Sequence, residues 1–212
     1  MDPALLEGAS VTAFLDALAS PAATPGGGSA TALGGAVAAA LVSMVCGLTQ
    51  GGSEAAAVRE EMAALGRRAQ SARERLRALI DEDMRAFDAV MRAYALPRAD
   101  EAQRSARSRA IQAALREATL VPLQCARLCG EVVELSGLAL RKGHVNAVGE
   151  AGVAALVARA ALRGAALNVR LNAGSIKDAA FVESTLEQLE EITRACEGDE
   201  AGIERLVTGR PG

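Results

Sequence analysis

The chain has 212 residues, with 23 basic against 26 acidic side chains and a formal charge of -3, so it offers no global basic field of the kind nucleic acid requires. It has no Trp, one Tyr and three Phe, while Ala, Leu, Arg and Glu dominate, a composition suited to helices packed closely through small residues. That length supports one sizeable core and no linker-like stretch divides it, so a single all-α domain over residues 1–212 is expected.

The N-terminal Met1-Asp2-Pro3-Ala4-Leu5-Leu6-Glu7 lacks the basic and apolar regions of a signal peptide, which predicts a cytoplasmic protein. A short first helix is expected over residues 11–19, with Ser10 as its N-cap and Ser20-Pro21 as its stop. Next comes Thr24-Pro25-Gly26-Gly27-Gly28-Ser29, opening onto a segment of small apolar residues that predicts a helix over 29–50. A bare glycine turn at a helix N-terminus presents unpaired N–H groups and the positive end of the macrodipole, a setting for an anion or a polar ring. The same pattern also serves as a plain turn. No charged residue occurs from position 17 to 53, a span long enough to cross a bilayer. Its Ala and Gly content, and the lack of aromatic or basic anchors at its ends, instead predict a helix buried inside a bundle, away from any membrane.

Ser53 is the expected cap of a third helix over 54–94, roughly 60 Å long. Val58, Met62, Leu65, Ala69, Ala72, Leu76 and Leu79, then Phe87, Val90 and Tyr94, repeat in fours and threes along it, which is the seam of an antiparallel bundle. One place in that register is taken by Asp83. A carboxylate on a buried face is costly unless paired, hydrogen-bonded or used, so Asp83 is a candidate functional residue. Asp81, flanked at four residues by Arg77 and Arg85, is a surface ion pair. Glu82 points away from the seam, and Asp88 borders the apolar face beside Met84 and Met91.

Asp100 and Gln103 form a capping box for a fourth helix over 101–142, with a kink expected at Pro122 and a stop at Gly143. The loop His144-Val145-Asn146-Ala147-Val148-Gly149-Glu150 leads to a second small-residue helix over 151–171. Its Asn146 and Glu150 can hydrogen-bond backbone or ligand, whereas His144, the only histidine, is either a helix-end dipole partner or a participant in a site. Asn168 and Asn172 make a polar pair on an otherwise apolar helix, placed to cap its end or to bind. A last amphipathic helix is expected over 177–196 through Phe181, Leu186, Leu189 and Ile192, and residues 208–212 should fray. No strand-like alternation occurs. A long seam and two Ala-rich central helices give more apolar surface than one bundle buries, which predicts a homodimer.

Cys46, Cys125, Cys129 and Cys196 form no CxxC pair and predict buried thiols rather than a metal site. No nucleophile elbow, Walker or dinucleotide fingerprint is present. The available chemistry is proton transfer, addition or elimination by carboxylates, amides and water on a substrate that is already electrophilic.

The segments FLDALASPAATPGGGSATALGGAVAAALVSMVCGLT, DEDMRAFDAVMRAYALP, VPLQCARLCGEVVEL and AGVAALVARAALRGAALNVRLN together resemble the cyclodeaminase/cyclohydrolase family of tetrahydrofolate enzymes. The resemblance runs from Val11 to about Ile192. It implies an all-helical homodimer with a folate site between helices, a tetrahydrofolate derivative as substrate, and no metal. Carried over by position, the family's PGGGS loop falls on Pro25, Gly26, Gly27, Gly28 and Ser29, and its D-x-x-A-F motif on Asp83, Ala86 and Phe87. The family's G-N-x-N-A-x-S-D loop corresponds to Gly143 through Glu150, with His144 in place of Asn, Gly149 in place of Ser, and Glu150 in place of Asp. The resemblance implies Asp83 as base or electrostatic stabiliser with Glu150 assisting. Gly26, Gly27, Gly28, Ser29, Phe87, Asp88, His144, Asn146 and Asn168 are the candidate substrate-binding residues. Methenyltetrahydrofolate cyclohydrolase is the first expectation and formimidoyltetrahydrofolate cyclodeaminase the alternative. An alternative of another class is a folate-binding or helical interaction protein that has lost catalysis through the altered loop.

Overall fold

Side-chain caps set several helix ends in the computed structural model, which describes residues 10–52 and 55–197. Ser10 Oγ accepts from the Ala13 N–H at 3.1 Å to open α1 (Val11–Ala19). Asp100 Oδ1 accepts from Gln103 N–H at 2.8 Å, and Gln103 Oε1 from Ala99 N–H at 2.9 Å, opening α4 (Glu101–Lys142). The glycine turn enters α2 (Gly27–Gly51) two residues earlier than the sequence suggests, with Gly26 as an N-cap that has no side chain to offer. α3 (Ala56–Tyr94) starts behind Ala55; the expected cap Ser53, the predicted start Glu54 and the predicted frayed end at 208–212 lie outside the described residues.

A 3-10 turn over Val145–Ala147 runs directly into α5 (Val148–Ala173), so Gly149 and Glu150 belong to its first turn rather than to a loop. Asp178 caps α6 (Ala179–Ala195), accepting from Phe181 N–H at 3.1 Å. The described residues contain no strand. The chain is all-α.

Helices α2, α3, α4 and α5 pack as an antiparallel bundle, with α6 lying across α4 and α5. Gly35 of α2 marks the tightest crossing: a Cβ there would sit 2.7 Å from Cys129 Sγ of α4 and 3.1 Å from Leu76 of α3. Small residues thus let three backbones converge while Met62, Leu76, Leu79, Leu135 and Leu140 fill the spaces between them. Cys125 and Cys129 are buried thiols 3.9 Å apart in that core. Burial pushes the Cys46 thiol up to about 11, so it stays protonated and behaves as a small apolar residue.

α4 passes through the buried Pro122 without a break. Proline supplies no N–H, which strips the Ala118 carbonyl of its partner one turn back. The Asn172 Nδ2 of α5 donates to that oxygen at 2.7 Å, so this asparagine repairs the helix from outside.

Two expectations need correction. α2 is not enclosed: Val42, Val45 and Cys46 are fully buried, but Val37, Met44 and Leu48 stand about half exposed on an outward face. The stretches Gly27–Gly51 and Val145–Ala173 are each long and apolar enough to cross a membrane, and in the fold they pack side by side in the bundle. The α3 seam is buried from Met62 to Leu79 but not throughout, for Phe87 and Tyr94 are exposed. The cause is tertiary. α2 begins opposite Asp83, so the continuation of α3 projects past its end and nothing from α2 covers it.

Candidate functional site

Asp83 sits where α3 emerges from beneath the N-terminus of α2. Its Oδ2 accepts from Ser29 Oγ at 2.9 Å, and the Ser29 backbone N–H also points at the carboxylate. Ser29 is wholly buried and lies 3.2 Å from the Ile80 carbonyl through the same hydroxyl. The first turn of α2 therefore receives its missing acceptor from α3, across the bundle. Gly28 is what permits the approach, because a Cβ at that position would overlap the Asp83 carboxylate.

Burial raises the Asp83 carboxyl above its ordinary value, and the two Ser29 donors oppose that rise. A half-buried carboxylate with a raised proton affinity, held by Ser29 on one oxygen and not wholly enclosed, is suited to take a proton from water or return one. Asn168 of α5 lies beside the first turn of α2, its Oδ1 4.0 Å from where a Gly27 Cβ would stand, while its Nδ2 donates back to the Gly164 carbonyl at 3.1 Å. Phe87, one turn beyond Asp83, offers an exposed ring. Asp88 is half-buried on the same projecting part of α3.

A groove of about 410 Å³ lies between α2 and α3, beginning at Leu33 and Ile80 about one turn from Ser29 and Asp83, lined by Leu33, Ala36, Val37 and Ala40 on one wall and Arg73, Glu74, Arg77 and Ile80 on the other. Sequence reasoning had left the arginines out, treating Arg77 only as a partner of Asp81. Their i, i+4 spacing on the helix that carries Asp83 was the available signal. Glu82 does turn away from the site and pairs with Arg75.

The remaining candidates lie elsewhere. The His144 N–H donates to Thr49 Oγ1 at 2.8 Å, at the C-terminal end of α2, and its Nδ1 accepts from Asn146 N–H at 3.2 Å, so the histidine caps the 3-10 turn. α2 from Gly28 to Thr49 spans roughly 30 Å. Within one chain, Gly26, Gly27, Gly28, Ser29, Asp83, Phe87 and Asn168 gather at one end of the bundle, and His144, Asn146 and Glu150 at the other. Among the described residues no group of three or more His, Cys, Asp or Glu side chains could hold a metal.

A family profile described as Formiminotransferase-cyclodeaminase matches residues 10–191. A methenyltetrahydrofolate cyclohydrolase of Methylorubrum extorquens is 47% identical over 180 residues, which is 85% of this chain and 86% of that protein. The formimidoyltransferase-cyclodeaminase of Rattus norvegicus is 32% identical over 184 residues, 87% of this chain but 34% of that longer protein. The crystal structure of formiminotetrahydrofolate cyclodeaminase from Thermotoga maritima superposes with a TM-score of 0.85 at 30% identity, covering 96% of this chain and 98% of that one. By sequence along most of its length and by fold, this chain belongs to the formiminotransferase-cyclodeaminase family, the cyclodeaminase/cyclohydrolase group of folate enzymes.

Proposed function

We propose that this chain is a methenyltetrahydrofolate cyclohydrolase, with Asp83 as the residue that manages the proton of the attacking water. The observation that carries the reading is the half-buried Asp83 carboxylate, on the stretch of α3 that emerges beside the start of α2 and held there by Ser29 at 2.9 Å. The methenyl carbon is an amidinium-like cation, electrophilic without a metal. Water adds to it, its oxygen forming the new C–O bond and its proton passing to Asp83. The tetrahedral adduct then collapses with cleavage of one C–N bond: Asp83 returns its proton to the departing nitrogen while the adduct's hydroxyl proton leaves to solvent as the C=O forms, giving formyltetrahydrofolate and one net proton. An ionised Asp83 also stabilises the cation before attack.

The groove beside the site suits the rest of the molecule. Its Leu33 and Val37 wall is apolar, and Arg77 and Arg73 stand roughly 9 and 15 Å along α3 from Asp83. That reach is comparable to the span from the methenyl carbon across the aminobenzoyl ring to the glutamate carboxylates. Phe87 offers its face to the pterin. The 47% identity to a cyclohydrolase over most of both chains supports this activity ahead of the cyclodeaminase one. We extend the proposal to a cytoplasmic homodimer, since the outward apolar face of α2 favours a protein partner.

The cyclodeaminase reading ends on the same cation, formed when the cyclised formimino adduct expels ammonia, and requires a proton donor for that departing ammonia. Incubating the purified protein separately with methenyl- and formimino-tetrahydrofolate tests the two. Loss of the methenyl chromophore well above the spontaneous rate is the expected result; fast ammonia release from the second substrate without acceleration of the first would reverse the order. Tight folate binding with no turnover of either would favour the impaired folate-binding alternative.

A further inference from the structure

We propose that Thr31 is a positioning residue for the reaction, a wedge whose methyl group, seated in a notch at Gly164 of α5, holds the first turn of α2 against Asp83. The inference rests on the cyclohydrolase reading above for its consequence in turnover, and on the fold alone for its geometry. Thr31 acts through Gly28 and Ser29, the two residues that face the carboxylate.

The first turn of α2 lies between two helices. On the α3 side, a Cβ on Gly28 would overlap the Asp83 carboxylate, and Ser29 Oγ donates to Asp83 Oδ2 at 2.9 Å. On the α5 side, Gly27, Thr31 and Gly34 meet Asn168, Gly164 and Ala161 in turn. The middle contact is the tight one. A Cβ on Gly164 would stand 2.4 Å from Thr31 Cγ2, whereas a Cβ on Gly27 would be 4.0 Å from Asn168 Oδ1 and one on Gly34 3.6 Å from Ala161 Cβ. The bare backbone of Gly164 is therefore what admits the methyl.

That methyl cannot swing aside on its own. Thr31 Oγ1 donates to the Gly28 carbonyl at 2.7 Å, and in a β-branched side chain one χ1 rotation moves hydroxyl and methyl together. Turning the methyl out of the notch would break the bond to Gly28. The same bond carries any push on Thr31 back to the peptide of Gly28, which has no room to spare beside Asp83. The notch is itself fixed, because the Gly164 carbonyl accepts from Asn168 Nδ2 at 3.1 Å, one turn along α5. So α5 backs the glycine turn on one side and Asp83 receives it on the other. Burial and the two Ser29 donors oppose one another at that carboxylate. A small shift of the turn therefore changes both the proton affinity of Asp83 and its aim at the substrate.

Moving the methyl from one helix to the other tests this. Gly164→Ala and the double variant Gly164→Ala/Thr31→Ser are compared with wild type in two ways: turnover of methenyltetrahydrofolate, and NMR titration of the isotope-labelled Asp83 carboxyl, its resonance assigned by its loss in Asp83→Asn. Gly164→Ala should keep its helical circular dichroism and lower kcat by about 100-fold, the cost of a displaced catalytic group. Its Asp83 should titrate at higher pH than in wild type, because the Ser29 donors no longer sit squarely on the carboxylate. The double variant removes a methyl where the Cβ was added and keeps the hydroxyl that bonds Gly28, so it should recover most of the turnover and the wild-type titration. A merely structural Gly164 would lower stability without moving the Asp83 titration. A folded Gly164→Ala protein with wild-type kcat and titration, or a double variant no better than Gly164→Ala, would overturn the wedge. If Gly164→Ala does not fold, Thr31→Ala decides. Alanine favours the helix and removes the wedge, so Asp83 should again titrate higher and kcat fall by about tenfold; a wild-type profile would overturn the proposal. If wild type converts neither folate substrate, the activity reading fails by itself, and the Asp83 titration alone decides the wedge.

Discussion

Ser29 Oγ donates to Asp83 Oδ2 at 2.9 Å while lying 3.2 Å from the Ile80 carbonyl, so one buried hydroxyl ties the first turn of α2 to the carboxylate on α3. It opposes the burial that raises the Asp83 carboxyl above its ordinary value. Removing the hydroxyl removes that opposition. In Ser29→Ala the acid limb of the pH–rate profile should move to higher pH, because Asp83 must lose its proton to act as base. Stability should fall by about 1 kcal/mol for the lost hydrogen bond. A profile superimposable on wild type would show that Asp83 does not set the acid limb.

Gly28→Ala probes the contact from the other side. Alanine ordinarily improves a helix by about 1 kcal/mol over glycine, but here its Cβ would overlap the Asp83 carboxylate. The carboxylate or the start of α2 must shift, and a displacement of this kind costs about 100-fold in rate. Turnover should therefore collapse while the circular dichroism spectrum keeps its helical form. Wild-type turnover in a folded Gly28→Ala protein would place the chemistry elsewhere.

The groove between α2 and α3 makes a prediction about binding rather than chemistry. Arg73→Gln and Arg77→Gln should raise KM for methenyltetrahydrofolate by about tenfold each, the loss of a charge-assisted contact to a carboxylate, with kcat little changed. The effect should vanish with the corresponding pteroate, which has no glutamate. Equal KM changes for both substrates would mean that the arginines act on the fold and not on the tail.

Asn172 belongs to the structure and not to the site. Its Nδ2 serves the Ala118 carbonyl that Pro122 leaves without a donor. Asn172→Leu should lower stability by about 1 kcal/mol through that unsatisfied, partly buried oxygen, measured by urea unfolding, and leave KM unchanged. A raised KM with intact stability would reassign the residue to the ligand.

Local chemistry made much of this readable from residues alone. Ser10, Asp100 with Gln103, and Gly143 mark helix ends by capping, and Asp83 declares itself as a carboxylate in a three-four apolar register. Other features depend on where one helix stops beside another. Phe87 and Tyr94 continue the α3 seam in perfect register, and are exposed because α2 starts opposite Asp83. Asn168 and Asn172 are one turn apart on α5 and look equivalent, but only Asn172 lies against the carbonyl emptied by Pro122. The separation of Glu150 from Asp83 is likewise invisible in a linear sequence, since it follows from α2 and α5 running antiparallel along the whole bundle. The family resemblance names both residues without saying how far apart one chain holds them.

The most direct test of the account is the turnover of Asp83→Asn with methenyltetrahydrofolate, measured beside its stability as a function of pH. The raised carboxyl means that the folded protein holds this proton more tightly than the unfolded chain. Stability therefore falls as pH rises from the ordinary carboxylate value through the raised one, and is not recovered at neutral pH. The near-isosteric amide abolishes that ionisation and still accepts from Ser29, so at neutral pH the variant should melt no lower than wild type by more than a few degrees. Its turnover should fall by roughly two to four orders of magnitude. A folded Asp83→Asn protein that keeps more than about a tenth of wild-type turnover, well outside that expected loss, would contradict the assignment of Asp83 as the proton-handling residue.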